Sequence, residues 1–432
     1  MSPMNDIPQL TNSINAPLHH LEKDILTNQA AIECWLRKQW QITPPPFYSS
    51  VDLRNASFKL APIDTNLFPA GFNNINSDAL PLSIQAVQNL MSQRFPQAEK
   101  VLIIPEQHTR NQFYIESLAT LYDILQRAGL DVRLGSLVLD QEMPLEITTL
   151  SGRVLPFYSI QRRDDKLYAQ NFLPDVILLN NDLAEGTPEI LIDLKQPIMP
   201  SIKLGWDKRL KSDHFSHYEE VAADFANLIG IDPWLINPLF RHCDNLDFMS
   251  GEGIDVLAEN ARDLFHSIQK KYDDYGIKEP PFIIIKADAG TYGMGIMSIK
   301  SADELANLNR KQRTRMAVTK GKQSVTRVIL QEGIYTQEIY QNGVAEPVVY
   351  MIGENVISGF YRIHNERSNT ENLNAPGMHF VPLAFASNCL PPPSNIDAPE
   401  ISRFYVYGVI ARLAALAAAR EIYTAEGIVH GR

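Results

Sequence analysis

From Leu80 to about Asp182, short apolar runs alternate with amphipathic stretches of helical period, and this alternation restricts the architecture more than any other feature. Leu80 to Arg94 reads as a helix, VLIIP at 101–105 as a strand, and Asn111 to Ala128 as a helix. DVRLGSL and PDVILLNND then read as two further strands. Strands this short, spaced by helices, build βαβ units around a parallel sheet, so residues 79–205 are expected to form a Rossmann-like lobe.

The remainder of a 432-residue chain is too long to join that one core. Residues 23–40 read as a helix stopped by Pro44 to Pro46, and YSSVDLR with SFKLAPIDTN as a strand pair. Two helical stretches cover 208–230 and 252–272. VVYMIGENVISGFYRIH reads as a hairpin turning at Gly353–Glu354, and residues 398–421 as an alanine-rich helix.

A net charge of −11 argues against a nucleic-acid binder, because such proteins neutralise phosphates with Lys and Arg. An acidic chain that binds a phosphorylated ligand needs a local positive pocket. The cysteines, Cys34, Cys243 and Cys389, are odd in number and widely spaced, which fits a reducing compartment. No basic, then apolar, leader opens the chain. Phe404 to Ala419 is apolar but interrupted by Arg412, so it reads as a buried helix and not a membrane span. A cytoplasmic protein without membrane or nucleic-acid partners is expected.

The segment IIIKADAGTYGMGI sets Lys286 at the end of a buried strand, with Gly290, Gly293 and Gly295 close behind. Glycines let backbone amides approach phosphate oxygens, and the lysine adds charge. An ordinary glycine-rich hairpin turn would look the same, and neither a Walker loop nor the protein-kinase motifs are present. The segment resembles the phosphate loop of ATP-grasp enzymes, whose flap closes over ATP. That likeness makes Lys286, Gly290, Thr291, Tyr292, Gly293, Met294 and Gly295 candidate ATP contacts. The family's adenine hinge, xQE-[YFG]-[IL], is matched by Gln331, Glu332, Gly333 and Ile334 after Leu330.

GFYRIHNERSNTENLNAPG (359–377) resembles a stretch of bacterial glutathione synthetases. The resemblance implies that Arg362 contacts the transferring phosphate, with Asn372 and Asn374 nearby. KLGWDKRLKSDHF (203–215) resembles the stretch before the ATP-grasp domain of the same enzymes, with Lys211 its candidate ATP contact, although a solvated helix lysine would read alike. PEQHTRN (105–111) ends a strand of the parallel lobe, where open α/β sheets bind ligands, so His108, Arg110 and Asn111 are candidate contacts. His214 and His217 lack a third ligand and read as structural or solvated, not as a zinc site.

ATP-grasp enzymes usually end in a strand with Asp and a strand with Glu-x-Asn, which together hold two Mg²⁺ ions. Here only eleven residues follow the alanine-rich helix to 421. The expected pair lies at the other end. VDLRNASFKLAPIDTNLFPAGF (51–72) resembles the metal-binding strands of D-alanine–D-alanine ligases, with Asp52, Asp64 and Asn66 as implied ligands. Residues 64 and 66 share one strand face, and hard oxygens suit Mg²⁺. Asp64 stands where the family usually has Glu. A plain hairpin with an Asx-turn is the competing account, in which case Glu338, Glu346 and Glu371 become the places to seek ligands. Arg54, Asn73 and Asn74, in and after this block, are candidate substrate contacts.

These blocks together resemble the proteobacterial glutamate–cysteine ligase family. The resemblance implies an α/β, circularly permuted ATP-grasp-like fold that joins L-glutamate to L-cysteine with ATP and Mg²⁺ through a γ-glutamyl phosphate. Residues 1–78 are expected to complete the ATP-grasp sheet, 206–280 to link, and 281–432 to bind nucleotide. A ligase for another amino-acid pair, or a non-catalytic nucleotide-binding regulator, stays open on the residues alone.

Overall fold

The computed structural model describes residues 17–107, 111–290, 295–317, 324–383 and 402–427. Helices α1 (Pro17–Thr27) and α2 (Gln29–Ile42) lead into the hairpin of β1 (Tyr48–Asn55) and β2 (Leu60–Asn66). One break near Asn28 divides the helical stretch that the sequence reads as continuous.

Helix α3 (Leu80–Arg94) precedes the lobe formed by β3 (Lys100–Pro105), α4 (Gln112–Arg127), β4 (Asp131–Ser136), β5 (Leu145–Thr148), β6 (Val154–Arg163), β7 (Lys166–Ala169), β8 (Val176–Asn180) and β9 (Ile198–Met199). The strands run in the order β5-β6-β4-β3-β8-β9, with β7 beside β6. From β6 to β9 the pairings are parallel, whereas β5 and β7 join β6 antiparallel. Sequence alternation finds the parallel core because β3 and β8 are buried almost throughout. It misses β6 and the short strands β5, β7 and β9; β5 is mostly exposed, whereas β7 buries Leu167 and Ala169 and escapes by its shortness.

The chain then forms α5 (Lys211–Ile229), β10 (Phe240–Cys243), α6 (Ile254–Tyr275), β11 (Ile283–Ala287), β12 (Ile296–Ile299), α7 (Arg310–Ala317) and β13 (Val328–Glu332). The antiparallel sheet β10-β13-β11-β12 results. Strands β14 (Glu338–Tyr340), β15 (Gly343–Ile352), β16 (Asn355–His364) and β17 (His379–Pro382), with helix α8 (Ser402–Glu426), complete the chain.

The third sheet joins both halves of the sequence, in the order β17-β16-β15-β1-β2 with β14 beside β15. Strand β1 pairs antiparallel with β15, so the N-terminal hairpin extends the C-terminal one. The N-terminal strand pair and the C-terminal strands thus share one sheet, as the sequence leads one to expect. Alternate residues of β1 face opposite ways, with Val51 and Leu53 entering the core that α8 also fills. Ala411, Ala414, Ala415 and Ala417 are fully buried in α8, and side chains this small let the helix lie close to the sheet. No helix among the described residues is long and apolar enough to cross a membrane.

A buried charge cluster fastens α8 to this sheet. Arg209 donates through Nε and Nη2 to the Glu421 carboxylate at 2.7 and 2.9 Å, and through Nη1 to the Thr65 carbonyl at 2.6 Å. His214 Nδ1 lies 3.1 Å from the same carboxylate. Burial opposes the charge on Glu421, but Arg209 and His214 outweigh it and hold its pKa at about 2. Removing one partner of such a buried pair strands the other, so Glu421→Gln should cost roughly 3–5 kcal/mol in urea unfolding at neutral pH. Because the folded pKa lies below the ordinary 4.5, this contribution is complete above that pH and is lost as the pH falls toward about 2. A variant as stable as the parent at neutral pH would contradict this account.

Candidate active site

A cleft of about 820 Å³ opens where the three sheets meet. Its floor is one face of the mixed-origin sheet. Asp52 on β1 lies opposite Asp64 on β2 and Val348 on β15, and Glu346 lies opposite Arg362 on β16. A register shift between Asp52 and Leu53 lets both Ile63 and Asp64 border the cleft.

The floor is an interlocked charge set. Arg362 Nη1 donates to Asp52 Oδ2 at 2.6 Å and to Glu346 Oε1 at 2.7 Å. Arg54 Nε donates to Glu346 Oε2 at 2.9 Å, and its Nη1 donates to the Ile334 carbonyl at 3.1 Å. Burial opposes the Glu346 charge, yet Arg54 and Arg362 hold its pKa below the usual range. Asp52 goes the other way. Burial raises its pKa, Arg362 opposes this, and the Glu346 and Asp64 carboxylates push it up further.

Two facing carboxylates that repel each other form a place for a cation. Asn66 stands beside them, its Oδ1 accepting the Phe68 amide at 2.9 Å while keeping a second lone pair. Among the described residues no group of three or more His, Cys, Asp and Glu side chains could hold a metal. The donor set of Asp52, Asp64 and Asn66 instead fits Mg²⁺, which usually takes one or two carboxylates and completes its shell with phosphate oxygens and water.

The nucleotide-side wall comes from the antiparallel sheet. Lys286 Nζ donates at 2.8 Å to both Gln331 Oε1 and the Ile63 carbonyl, which lies 223 residues away in sequence and directly precedes Asp64. Lys211, in the first turn of α5, donates to the Gly290 carbonyl at 2.8 Å and sits 4.6 Å above the Trp206 ring. Burial lowers both lysine pKa values, that of Lys211 to about 8, while Asp64 favours their charge. Lys211 is therefore a cleft residue and not a solvated one.

The glycine loop is anchored at both ends. Asp288 is fully buried and accepts from Ser212 Oγ at 2.7 Å, the Ser212 amide at 2.8 Å and Arg327 Nε at 2.5 Å. Gly290 and Gly295 have φ of 92° and 63°, a region that side chains rarely tolerate. Thr291, Tyr292, Gly293 and Met294 lie outside the described residues.

At the hinge, the Gln331 Nε2 donor is buried without a partner, whereas the Glu332 carboxylate is fully engaged. Glu332 accepts from Lys59 at 2.7 Å, from Trp234 Nε1 at 3.2 Å and from the Leu239 amide at 2.9 Å. At Gly333 a Cβ would fall 2.2 Å from the Phe282 ring, so a side chain cannot enter. Ile334 borders the cleft.

The third wall belongs to the parallel lobe and the loop after β2. Asn73, Asn74 and Asn111 border it, with Asn111 capping α4 by accepting the Tyr114 amide at 3.3 Å. His108 and Arg110 lie outside the described residues. Asn372 and Asn374 border the opposite rim, with the Asn374 amide donating to Asn372 Oδ1 at 3.0 Å. His214 is spent on Glu421, away from the cleft lining.

Sequence reasoning gave Glu346 no role in the charge set and missed Asp288. A charged residue inside the otherwise apolar strand GVAEPVVYMI was a usable signal for Glu346. Of the other reserve carboxylates, Glu338 faces Tyr407 and Asn55, and Glu371 binds Arg367 and Ser368.

The family model described as GshA, glutamate-cysteine ligase, matches residues 22–422. No curated protein matches the chain. A solved structure from Methylobacillus flagellatus KT, provisionally assigned as a gamma-glutamylcysteine synthetase, is similar at 50% identity with a TM-score of 0.88, over 97% of this chain and 99% of that one. A glutathione synthetase-like effector from Globodera pallida is similar at 9% identity and a TM-score of 0.39, over 81% of this chain and 77% of that one. A D-alanyl-alanine synthetase A from Vibrio cholerae is similar at 12% identity and a TM-score of 0.34, over 73% and 81%. The last two likenesses are too slight to argue from. The family match over most of the chain, together with the half-identical structure, carries the assignment: this chain belongs to the GshA glutamate–cysteine ligase family.

Proposed function

We propose that the protein is an ATP-dependent glutamate–cysteine ligase, joining the γ-carboxyl of L-glutamate to the amine of L-cysteine with release of ADP and phosphate. The observation that carries this reading is the meeting of Asp52, Asp64, Lys211, Lys286 and Arg362 in one cleft of a chain from that family. Lys211 and Lys286 neutralise the nucleotide phosphates, and Gln331 offers its unpartnered amide to the nucleotide. Asp52, Asp64 and Asn66 would hold magnesium, which when bound supplies positive charge to phosphate oxygens.

Arg362 acts where the γ-phosphoryl transfers. Its Nε is buried without a partner, so it presents a charge-assisted donor for an oxyanion. A γ-carboxylate oxygen of glutamate attacks the γ-phosphorus and ADP leaves. The cysteine nitrogen then attacks the acyl carbon, phosphate departs and the nitrogen loses a proton. Glu346 holds Arg54 and Arg362 at fixed positions through both steps, which lowers the reorganisation needed as charge develops. Asn372 and Asn374 contribute amide groups at the same rim, and Arg54, Asn73 and Asn74 border the space left for the amino acids.

The reading is tested by product analysis. ADP and phosphate should appear in step with γ-glutamylcysteine, and ATP with glutamate alone should give a hydroxamate when hydroxylamine is added. AMP and pyrophosphate would mean adenylation and refute the acyl-phosphate route.

Asp64→Asn keeps the shape of the site but removes a charge. It should raise the magnesium concentration needed for half-maximal rate and lower the rate by about two orders of magnitude or more, since such charge stabilisation is worth several kcal/mol. An unchanged magnesium titration would remove Asp64 from the metal site.

The lowered Lys211 pKa gives a pH dependence of known sign. Its charge is present below about 8 and is lost above it, so ATP affinity should weaken as the pH rises past that value. Calorimetric ATP titrations without amino acids isolate this effect. The loss should vanish in Lys211→Met, and a wild-type affinity that stays flat from about pH 7 to about 9.5 would exclude Lys211 from the phosphate site.

A further inference from the structure

The cleft floor carries a second kind of surface beside its charges. Val348 stands between Asp52 and Phe360 on one rung of the sheet. Phe360 precedes Arg362 by two residues and so shares its face, while Phe380 on β17 lies directly opposite Arg362. Ring centroids are 5.4 Å apart for Tyr350 and Phe360, and 4.9 Å apart for Phe360 and Phe380. Phe72 backs Tyr350 at 5.3 Å, which fixes the wall from behind. An aromatic wall thus adjoins the arginine at which phosphoryl transfer is proposed.

Adenine does not need this wall, because Ile284, Ile296 and Ile334 provide apolar surface at the Lys286 end. The two amino acids must fit beyond the phosphates, and their chemistries differ. The donor ends in charged groups on both sides and gains little from aromatic rings. The acceptor has one uncharged part, a short polarizable CH₂–SH group, and sulfur packs favourably against ring edges.

The geometry points to Phe360 and Phe380, with Val348, as the specificity-determining pocket for the acceptor side chain, a small neutral group bearing sulfur or methyl. This inference rests on the ligase reading and adds the surface that selects the acceptor. Val348 and Phe360 are nearly fully buried and rigid, whereas Phe380 is half-buried on the edge strand. Substitution at Phe380 therefore changes the pocket with the least demand on the core.

Phe380→Ala is the test. Its KM for L-cysteine should rise about ten-fold, the usual scale for one apolar pocket contact, while hydroxamate formation from glutamate and ATP stays at the parent rate. Calorimetric binding of L-cysteine, with a non-hydrolysable ATP analogue and glutamate present, should weaken to the same extent. Methionine should gain as an acceptor relative to cysteine in the enlarged pocket. Unchanged cysteine binding overturns the proposal, as does a shift in glutamate KM or hydroxamate rate without one for cysteine. If the parent forms no hydroxamate, the acyl-phosphate reading fails by itself, and the cysteine-binding comparison still decides the pocket. Phe380→Leu should show a smaller loss than Ala. Should the Ala variant fail to fold, unchanged cysteine affinity in the Leu variant overturns the assignment.

Discussion

The backbone pairing of β1 with β15 is the contact on which the candidate site depends. It sets Asp52 opposite Val348, two residue pairs from the rung on which Glu346 and Arg362 face each other. No local signal joins these strands, which lie nearly three hundred residues apart. The pairing is stabilised because Val51 and Leu53 enter the core under α8 while Ser50, Asp52 and Arg54 face the cleft. A slip of one residue would exchange the two sets, burying an acid under an alanine-rich helix and exposing valine to the ligand. Hydrophobic burial on one side of the strand thereby fixes the chemistry on the other.

Charge is then distributed so that few buried groups stand alone. Glu346 serves two arginines, and Arg362 divides one nitrogen between Asp52 and Glu346. Lys59 and Glu332 form a second buried pair, which binds the β1–β2 turn to the hinge strand. Arg209 and Glu421 form a third, behind the acidic strand. Buried pairs of this kind add little net stability compared with apolar packing, but they penalise wrong registers heavily. Here all but the Glu346–Arg362 pair link segments far apart in sequence, so they serve to align the walls of one cleft. Two of the buried atoms left unpaired, the Arg362 Nε and the Gln331 Nε2, belong to residues that border the same space.

Much of the fold was legible because it follows local periodicity. Helices α3, α4 and α6, the parallel strands β3, β4 and β8, and the hairpin at Gly353–Glu354 announce themselves through apolar spacing and turn residues. Strands β5, β6, β7 and β9 escaped, since β5, β7 and β9 are very short and β5 and β7 form by pairing with β6. Among the candidate site residues, Asp52, Asp64, Lys286 and Arg362 stood out through motif resemblance, and the structure brings them into one cleft. Glu346 did not, because its meaning depends on the strand beside it. Nor did Asp288, whose carboxylate caps a helix that begins with Lys211, more than seventy residues earlier.

The sequence by itself determined the element types, the parallel lobe, and the kinds of residue available for phosphate and metal chemistry. Those properties depend on neighbours within a few positions, where spacing sets which face a side chain occupies. Only the tertiary structure decided which carboxylates share one face, that Lys211 lies in the cleft and not in solvent, and that an aromatic wall stands beside Arg362. These depend on strand register between distant segments and on the dielectric surroundings that packing creates. A single chain of residue types does not specify either until the sheets have formed.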